Sequence, residues 1–123
     1  MKVYRGYQDL IVWQKSMDLV DEIYKLVKFL PKEENFALSD QMRRSCVSIP
    51  SNIAECYERN SIKEFIQFLS IAKGSRAELE TQLLICIRQK YLNEEQIQKS
   101  MLLCEEIRKM LKTIIDKKIA EIK

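Results

Sequence analysis

The sequence predicts an all-α protein, an antiparallel up-down-up-down four-helix bundle, and three observations carry that prediction. The 123 residues include only two glycines and two prolines, too few to punctuate the closely spaced turns of a multistranded β fold. Apolar residues recur at steps of three and four through four long segments, the period of a helix with one face turned to a core. Hydrophobic residues make up 46% of the chain and charged residues 32%, which argues against disorder and for a single domain over residues 1–123. A chain of this mass buries about two-thirds of its unfolded surface, enough for a core without metal or disulfide staples.

The first helix is expected over 9–30. Leu10, Trp13, Met17, Val20, Tyr24 and Val27 alternate steps of three and four, nearly a coiled-coil seam. Pro31 stops it, and Lys25 and Lys28 suit its negative end. The second helix is expected over 39–59, with Ser39 as N-cap, Asp40 in the first turn, and Met42, Cys46, Ile49, Ile53 and Tyr57 on one face. Pro50 falls inside it and frees the carbonyl of Cys46, with Ser48, Ser51 and Asn52 near enough to satisfy released backbone groups. The third helix is expected over 62–90, opened by the capping box Ser61-Ile62-Lys63-Glu64. Its seam is Phe65, Leu69, Ala72, Leu79, Leu83 and Cys86, widened by Phe68, Ile71 and Ile85. The fourth is expected over 94–122, with Asn93 as cap and Gln96 at the third helical position. Ile97, Met101, Cys104, Ile107, Leu111, Ile114 and Ile122 carry its apolar face. Long helices that are apolar on more than one stripe point to a second buried face, an oligomer interface.

Chemistry is limited by what the chain lacks. It has no histidine, which removes imidazole bases, the common zinc ligand and every Ser-His or Cys-His dyad. No metal, cofactor or small-molecule substrate is expected, and the chain reads as a non-enzyme. Glu78 and Glu80, two apart on a helix, do not share a face. The four cysteines, Cys46, Cys56, Cys86 and Cys104, have no C-x-x-C spacing and read as buried small hydrophobes in a reducing compartment. Cys56, near a helix end and beside Arg59, is the one thiol that a lowered pKa would make a nucleophile. No signal peptide and no apolar run near eighteen residues is present, so the expected location is cytoplasmic, away from membranes. Lys+Arg is 21 and Asp+Glu 18, a net +3 spread evenly along the chain, which does not of itself demand a polyanion.

The middle of the second and third helices is the unusual region. Arg44, Ser48, Ser51, Asn52, Glu55 and Arg59 make a polar line on one, and Gln67, Ser70, Gly74, Glu78 and Thr81 make another. A hairpin turning near Asn60 sets Ser48 against Ala72, Arg44 against Arg76 and Asp40 against Glu80, with Glu78 and Glu80 in reach of Arg43 and Arg44. The expected outcome is a structural polar network of Arg44, Asn52, Glu55, Glu78 and Glu80. The competing reading is a polar pocket or an anion-binding surface. Gly74 inside a helix costs about 1 kcal/mol relative to Ala, and Ser70-x-x-x-Gly74 forms a small-residue groove that admits another backbone.

Three strings, QDLIVWQKSMDLVDEIYKL, QMRRSCVSIPSNIAECYER and KEFIQFLSIAKGSRAELETQLL, resemble the family of small four-helix-bundle proteins encoded in 23S rRNA intervening sequences, over residues 7–91. One position departs: the family usually has Gly after NIAE, and Cys56 stands there, so the helix is expected to run a turn further. The resemblance implies a four-helix bundle, commonly a ring-like pentamer, and kinship to the accessory protein of diversity-generating retroelements, which binds nucleic acid and a reverse transcriptase. The expectation that follows is a non-enzymatic, ring-like homo-oligomer that binds RNA or DNA. The candidate contacts are Arg43, Arg44, Arg59, Lys63, Arg108, Lys109 and Lys112. The alternative is a protein–protein interaction scaffold with no nucleic-acid role, docking through an apolar helix face or through the arm 1–6, where Tyr4 and the following Tyr7 are the anchors.

Overall fold

The computed structural model describes residues 6–122, and Tyr4 of the expected arm lies outside them. Four helices account for most of the chain: α1 (Ile11–Leu26), α2 (Leu38–Cys56), α3 (Ile62–Arg88) and α4 (Glu94–Ile122). Short 3₁₀ turns cover Gly6–Asp9, Val27–Phe29 and Lys32–Glu34, and there is no strand among the described residues. In the bundle α1 packs on α2 and α4, and α3 packs on the same two, so the α1/α2 face and the α3/α4 face lie on opposite sides. Leu19, Ile23, Met42, Ile49, Ile53, Leu69, Leu79, Leu83, Ile107 and Leu111 are fully buried along the axis.

The face that α1 turns inward differs from the expected seam. Val12, Ser16, Leu19, Ile23 and Leu26 are buried, while Met17 and Tyr24 are exposed and Trp13 and Val20 half-buried. Two apolar stripes run side by side on this helix, and the aliphatic one packs. Ser16 fits at its crowded point and returns its hydroxyl to the Val12 carbonyl at 2.5 Å. The helix is also shorter than 9–30. It begins after the turn Gly6–Asp9 and tightens to 3₁₀ at Val27, because Leu30 must be extended (φ −78°, ψ 150°) ahead of Pro31.

Ser39 is not the cap of α2. It is buried inside the first turn with its hydroxyl unpartnered, and Ala37 stands at the N-cap with no side-chain bond. The Glu34 carboxylate reaches forward and accepts from the Leu38 N–H at 3.3 Å. Its other oxygen accepts from the Tyr91 hydroxyl at 2.8 Å, tying the α1–α2 connection to the α3–α4 turn at one end of the bundle. The caps expected at α3 and α4 form: Ser61 accepts from Glu64 N–H at 3.1 Å, and Asn93 and Gln96 bond reciprocally at 2.8 and 2.9 Å. α3 ends at Arg88, with the Lys90 N–H on the Ile87 carbonyl, the Tyr91 N–H on the Cys86 carbonyl, and Lys90 left-handed at φ 65°.

The α2–α3 hairpin is antiparallel. Ser48 bonds Ser75 at 2.8 Å and Ser45 donates to Glu78 at 2.9 Å. Ser48 therefore stands opposite Ser75, three residues from the expected Ala72. α2 does not run through Arg59 but stops at Cys56, and 57–59 continue in i→i+3 turns. Tyr57, expected in the core, is exposed on this turn. α1 and α4 are also antiparallel, joined by Lys15–Glu106 at 3.0 Å and Lys99–Glu22 at 3.3 Å.

Candidate interaction surfaces

The polar residues of α2 and α3 divide into separate contacts rather than one network. Arg44 pairs with Asp40 on its own helix at 3.1 Å, and its side chain is 81% exposed. Glu55 takes Arg59 at 2.7 Å, Glu80 takes Arg76 at 2.6 Å, Glu78 accepts from Ser45, and the Asn52 amide donates to the carbonyl and hydroxyl of Ser48. Asn52 thus serves the backbone near Pro50, though not the carbonyl of Cys46 that the proline frees. Arg43 and Arg44 do not meet Glu78 and Glu80, which Ser45 and Arg76 occupy. Arg43 instead donates to the Asn35 carbonyl at 3.0 Å.

Arg76 is the buried charge that sequence reasoning missed. It is 8% exposed, and its Nε has no partner. The signal was available, because position 76 falls on the seam between Leu69 and Leu83 at heptad spacing.

Of the seven basic candidates, five are already engaged. Besides Arg43, Arg44 and Arg59, Arg108 makes two bonds to Glu105 (3.0 and 2.6 Å) and Lys112 pairs with Asp116 at 2.7 Å. The Arg108 bond holds the Glu105 carboxyl below the usual carboxylate range. Lys63 and Lys109 have no ion-pair partner among the described residues. Arg59 also lies over the Phe68 ring at 4.5 Å, and Lys118 over Phe65 at 4.7 Å, so these aromatic faces are covered by the protein's own cations. The seven positions are split between the α2–α3 hairpin and the C-terminal half of α4.

Cys56 is not an activated thiol. It is fully buried, its Sγ donates to the Ile53 carbonyl at 3.0 Å, and burial pushes its pKa up to about 12. Cys46 and Cys104 are pushed up to about 12 and Cys86 to about 11, in each case chiefly by desolvation. Among the described residues no group of three or more His, Cys, Asp or Glu is placed to hold a metal, and no helix is long and apolar enough to cross a membrane.

Gly74 does not bring two helices of this chain together. It is exposed, and a Cβ built on it would meet nothing within 4 Å. It belongs instead to an outward stripe of α3, Ser70, Gly74, Ala77, Thr81 and Leu84, exposed at every position and spaced as a second coiled-coil seam.

Apolar grooves open on three sides of the bundle, one of them between the start of α1 and α4, where Leu10 and Ile11 face Met110 and Ile114. On the α1/α2 side, Trp13, Met17 and Val20 form a groove with Val47, Pro50 and Ala54, and Tyr7 packs edge-on against Trp13 at 5.5 Å. On the opposite side, Leu84 and Ile87 of α3 form a groove with Met101 and Leu102 of α4. Met17, Val47, Leu84 and Leu102 are all exposed large apolar side chains.

Comparison with known proteins gives one family and one fold. The family model described as 23S rRNA-intervening sequence protein matches residues 8–113. Among solved structures, a protein of unknown function from the S23 ribosomal protein family of Bacteroides thetaiotaomicron is 36% identical to this chain, with a TM-score of 0.79. The match covers 85% of this chain and 98% of that one. No curated protein sequence matches.

Proposed function

Because the chain belongs to the 23S rRNA-intervening sequence protein family, and that assignment carries no activity, we propose a function from its surfaces: a non-catalytic, self-associating helical bundle that serves as a scaffold. The observation that carries the reading is the unburied half of α1. In a heptad-spaced apolar stripe of this helix Met17 and Tyr24 are exposed and Trp13 and Val20 only half-buried, beside the exposed Val47 of α2, although the same helix supplies a complete core face. Contiguous apolar surface of this kind marks an interface. Non-catalytic fits a chain without histidine whose four thiols are buried and protonated. The test is mass in solution. Sedimentation at micromolar concentration should give a multiple of 14.6 kDa, and Met17→Glu with Val47→Glu should return the single chain with its helical circular dichroism unchanged. A wild-type monomer overturns the reading.

Nucleic-acid binding stands second. Arg43, Arg44, Arg59, Lys63, Arg108, Lys109 and Lys112 are dispersed on one chain, and only Lys63 and Lys109 are without an acidic or carbonyl partner among the described residues. Such binding is therefore a property of the assembly, where the net charge of +3 per chain is multiplied by the copy number. Titration with labelled structured RNA and duplex DNA at two salt concentrations tests it, since phosphate contacts give affinity that falls steeply with salt.

A further inference from the structure

We propose that the α1/α2 groove has an occupant within its own chain: the arm 1–5 lies back in it as a strap, which a second copy must displace. The proposal rests on the self-association proposed above and names what regulates the face that carries it.

The first support is where the arm starts. The described residues begin at Gly6, and the turn Gly6–Asp9 packs on α1 and α2. Tyr7, next to Gly6, is already a wall of the groove, edge-on against Trp13 at 5.5 Å. The groove of Leu10 and Ile11 with Met110 and Ile114 also opens near the start of α1, but Tyr7 lines the α1/α2 groove and not that one. Gly6 is left-handed at φ 61°, a bend that glycine makes without a side-chain clash. The backbone thus bends just where the arm begins.

Reach and chemistry agree. Five extended residues span about 16 Å, and the rise along α1 from Trp13 to Val20 is about 10 Å. Val3 and Tyr4 are apolar, and so are the groove walls Met17, Val20, Val47 and Pro50. Lys2 and Arg5 flank the apolar pair of the arm. Asp18 and Asp21 follow Met17 and Val20 on α1, exposed and without an ion-pair partner among the described residues. Two cations therefore have two free carboxylates to meet beside an apolar floor. The α1/α4 groove offers Asp9 and Lys109, whose charges cancel for such a segment.

The consequence is competition. A tethered segment stays at high local concentration beside its seat, so a second copy takes the α1/α2 face only above the concentration at which it outcompetes the arm.

Cysteine pairs in the full chain test the seat. Val3→Cys with Ser51→Cys sets a thiol of the arm against the α1/α2 groove, while Val3→Cys with Leu102→Cys or with Thr113→Cys probes the other two grooves. The four native thiols are buried, so diamide oxidises the introduced pair alone. At a concentration where the chain sediments at 14.6 kDa, the pair at 3 and 51 is expected to close about tenfold faster than the other two. Equal rates, a faster pair at 3 and 113, or disulfides only between chains overturn the strap and leave self-association standing. Assembly gives a second readout. Full-length protein with Val3→Asp and Tyr4→Asp is expected to gain mass at about tenfold lower concentration than the wild type. An unchanged or higher threshold overturns the competition. A chain that never exceeds single-copy mass, yet closes the pair at 3 and 51, overturns self-association while the seat of the arm stands.

Discussion

Lys90 holds the turn between α3 and α4 at φ 65°, a conformation that an L side chain enters at a cost of about 1 kcal/mol. The Tyr91 and Leu92 N–H groups, which follow it, both reach back to the Cys86 carbonyl. Lys90→Gly should keep both bonds and remove the strain, raising stability by about 1 kcal/mol in urea unfolding; a loss of stability would mean that the lysine side chain is needed there. Arg44 gives the opposite lesson. Set in a buried network it would be worth about 1–3 kcal/mol, but its side chain is in water and paired only along its own helix. Arg44→Ala should therefore change the unfolding free energy by no more than about 0.5 kcal/mol. At this scale the sequence is legible where partners are local. Ser61 with Glu64 and Asn93 with Gln96 are three residues apart, and both caps form. Ser39 looked equally good, but Glu34 reaches the helix start first, from a connection whose path depends on Tyr91 far along the chain.

At the scale of the element, α1 shows why periodicity names a helix more surely than it names the buried side. Two stripes one residue apart both satisfy the steps of three and four, and nothing local says that Leu19 and Ile23 go inward while Met17 and Tyr24 do not. The choice is made by the other helices. The end of α2 was illegible for a related reason, since the i→i+3 turns at 57–59 leave no periodic signature. Gly74 belongs here too. A glycine in an exposed helix interior with no neighbour within 4 Å costs helix stability and gives no packing in return within the chain. Gly74→Ala should stabilise the monomeric variant of the bundle by about 1 kcal/mol, read as a shift in denaturant midpoint at unchanged slope. A destabilised Gly74→Ala would show that some part of this chain packs on that surface after all.

For the whole molecule, fold class and helix number were legible from composition and period, and the candidate surfaces were legible only as residues, because which of them share a face depends on the assembled bundle. The interior also sets a response to alkali. Four thiols are raised to about 11 or 12 by burial, against about 8.5 in an unfolded chain. The unfolded state gives up its protons first, so this contribution is complete below about pH 8.5 and is lost as pH rises toward 11–12. The urea midpoint should fall between pH 8 and pH 10.5, and a thiol reagent at pH 8 should find no reactive cysteine until the protein is unfolded; early labelling would place a thiolate at the surface. The hairpin described above has a consequence in time. α2 and α3 share the most extensive packing and are joined by only five residues, so the entropy lost in bringing them together is small. Contacts close in sequence form early. The α2–α3 pair is thus the expected folding nucleus, with α1 and α4 docking afterwards. Leu69→Ala should chiefly slow folding and Leu111→Ala chiefly hasten unfolding, so the serine pair at the seam of that hairpin marks where the molecule begins to exist.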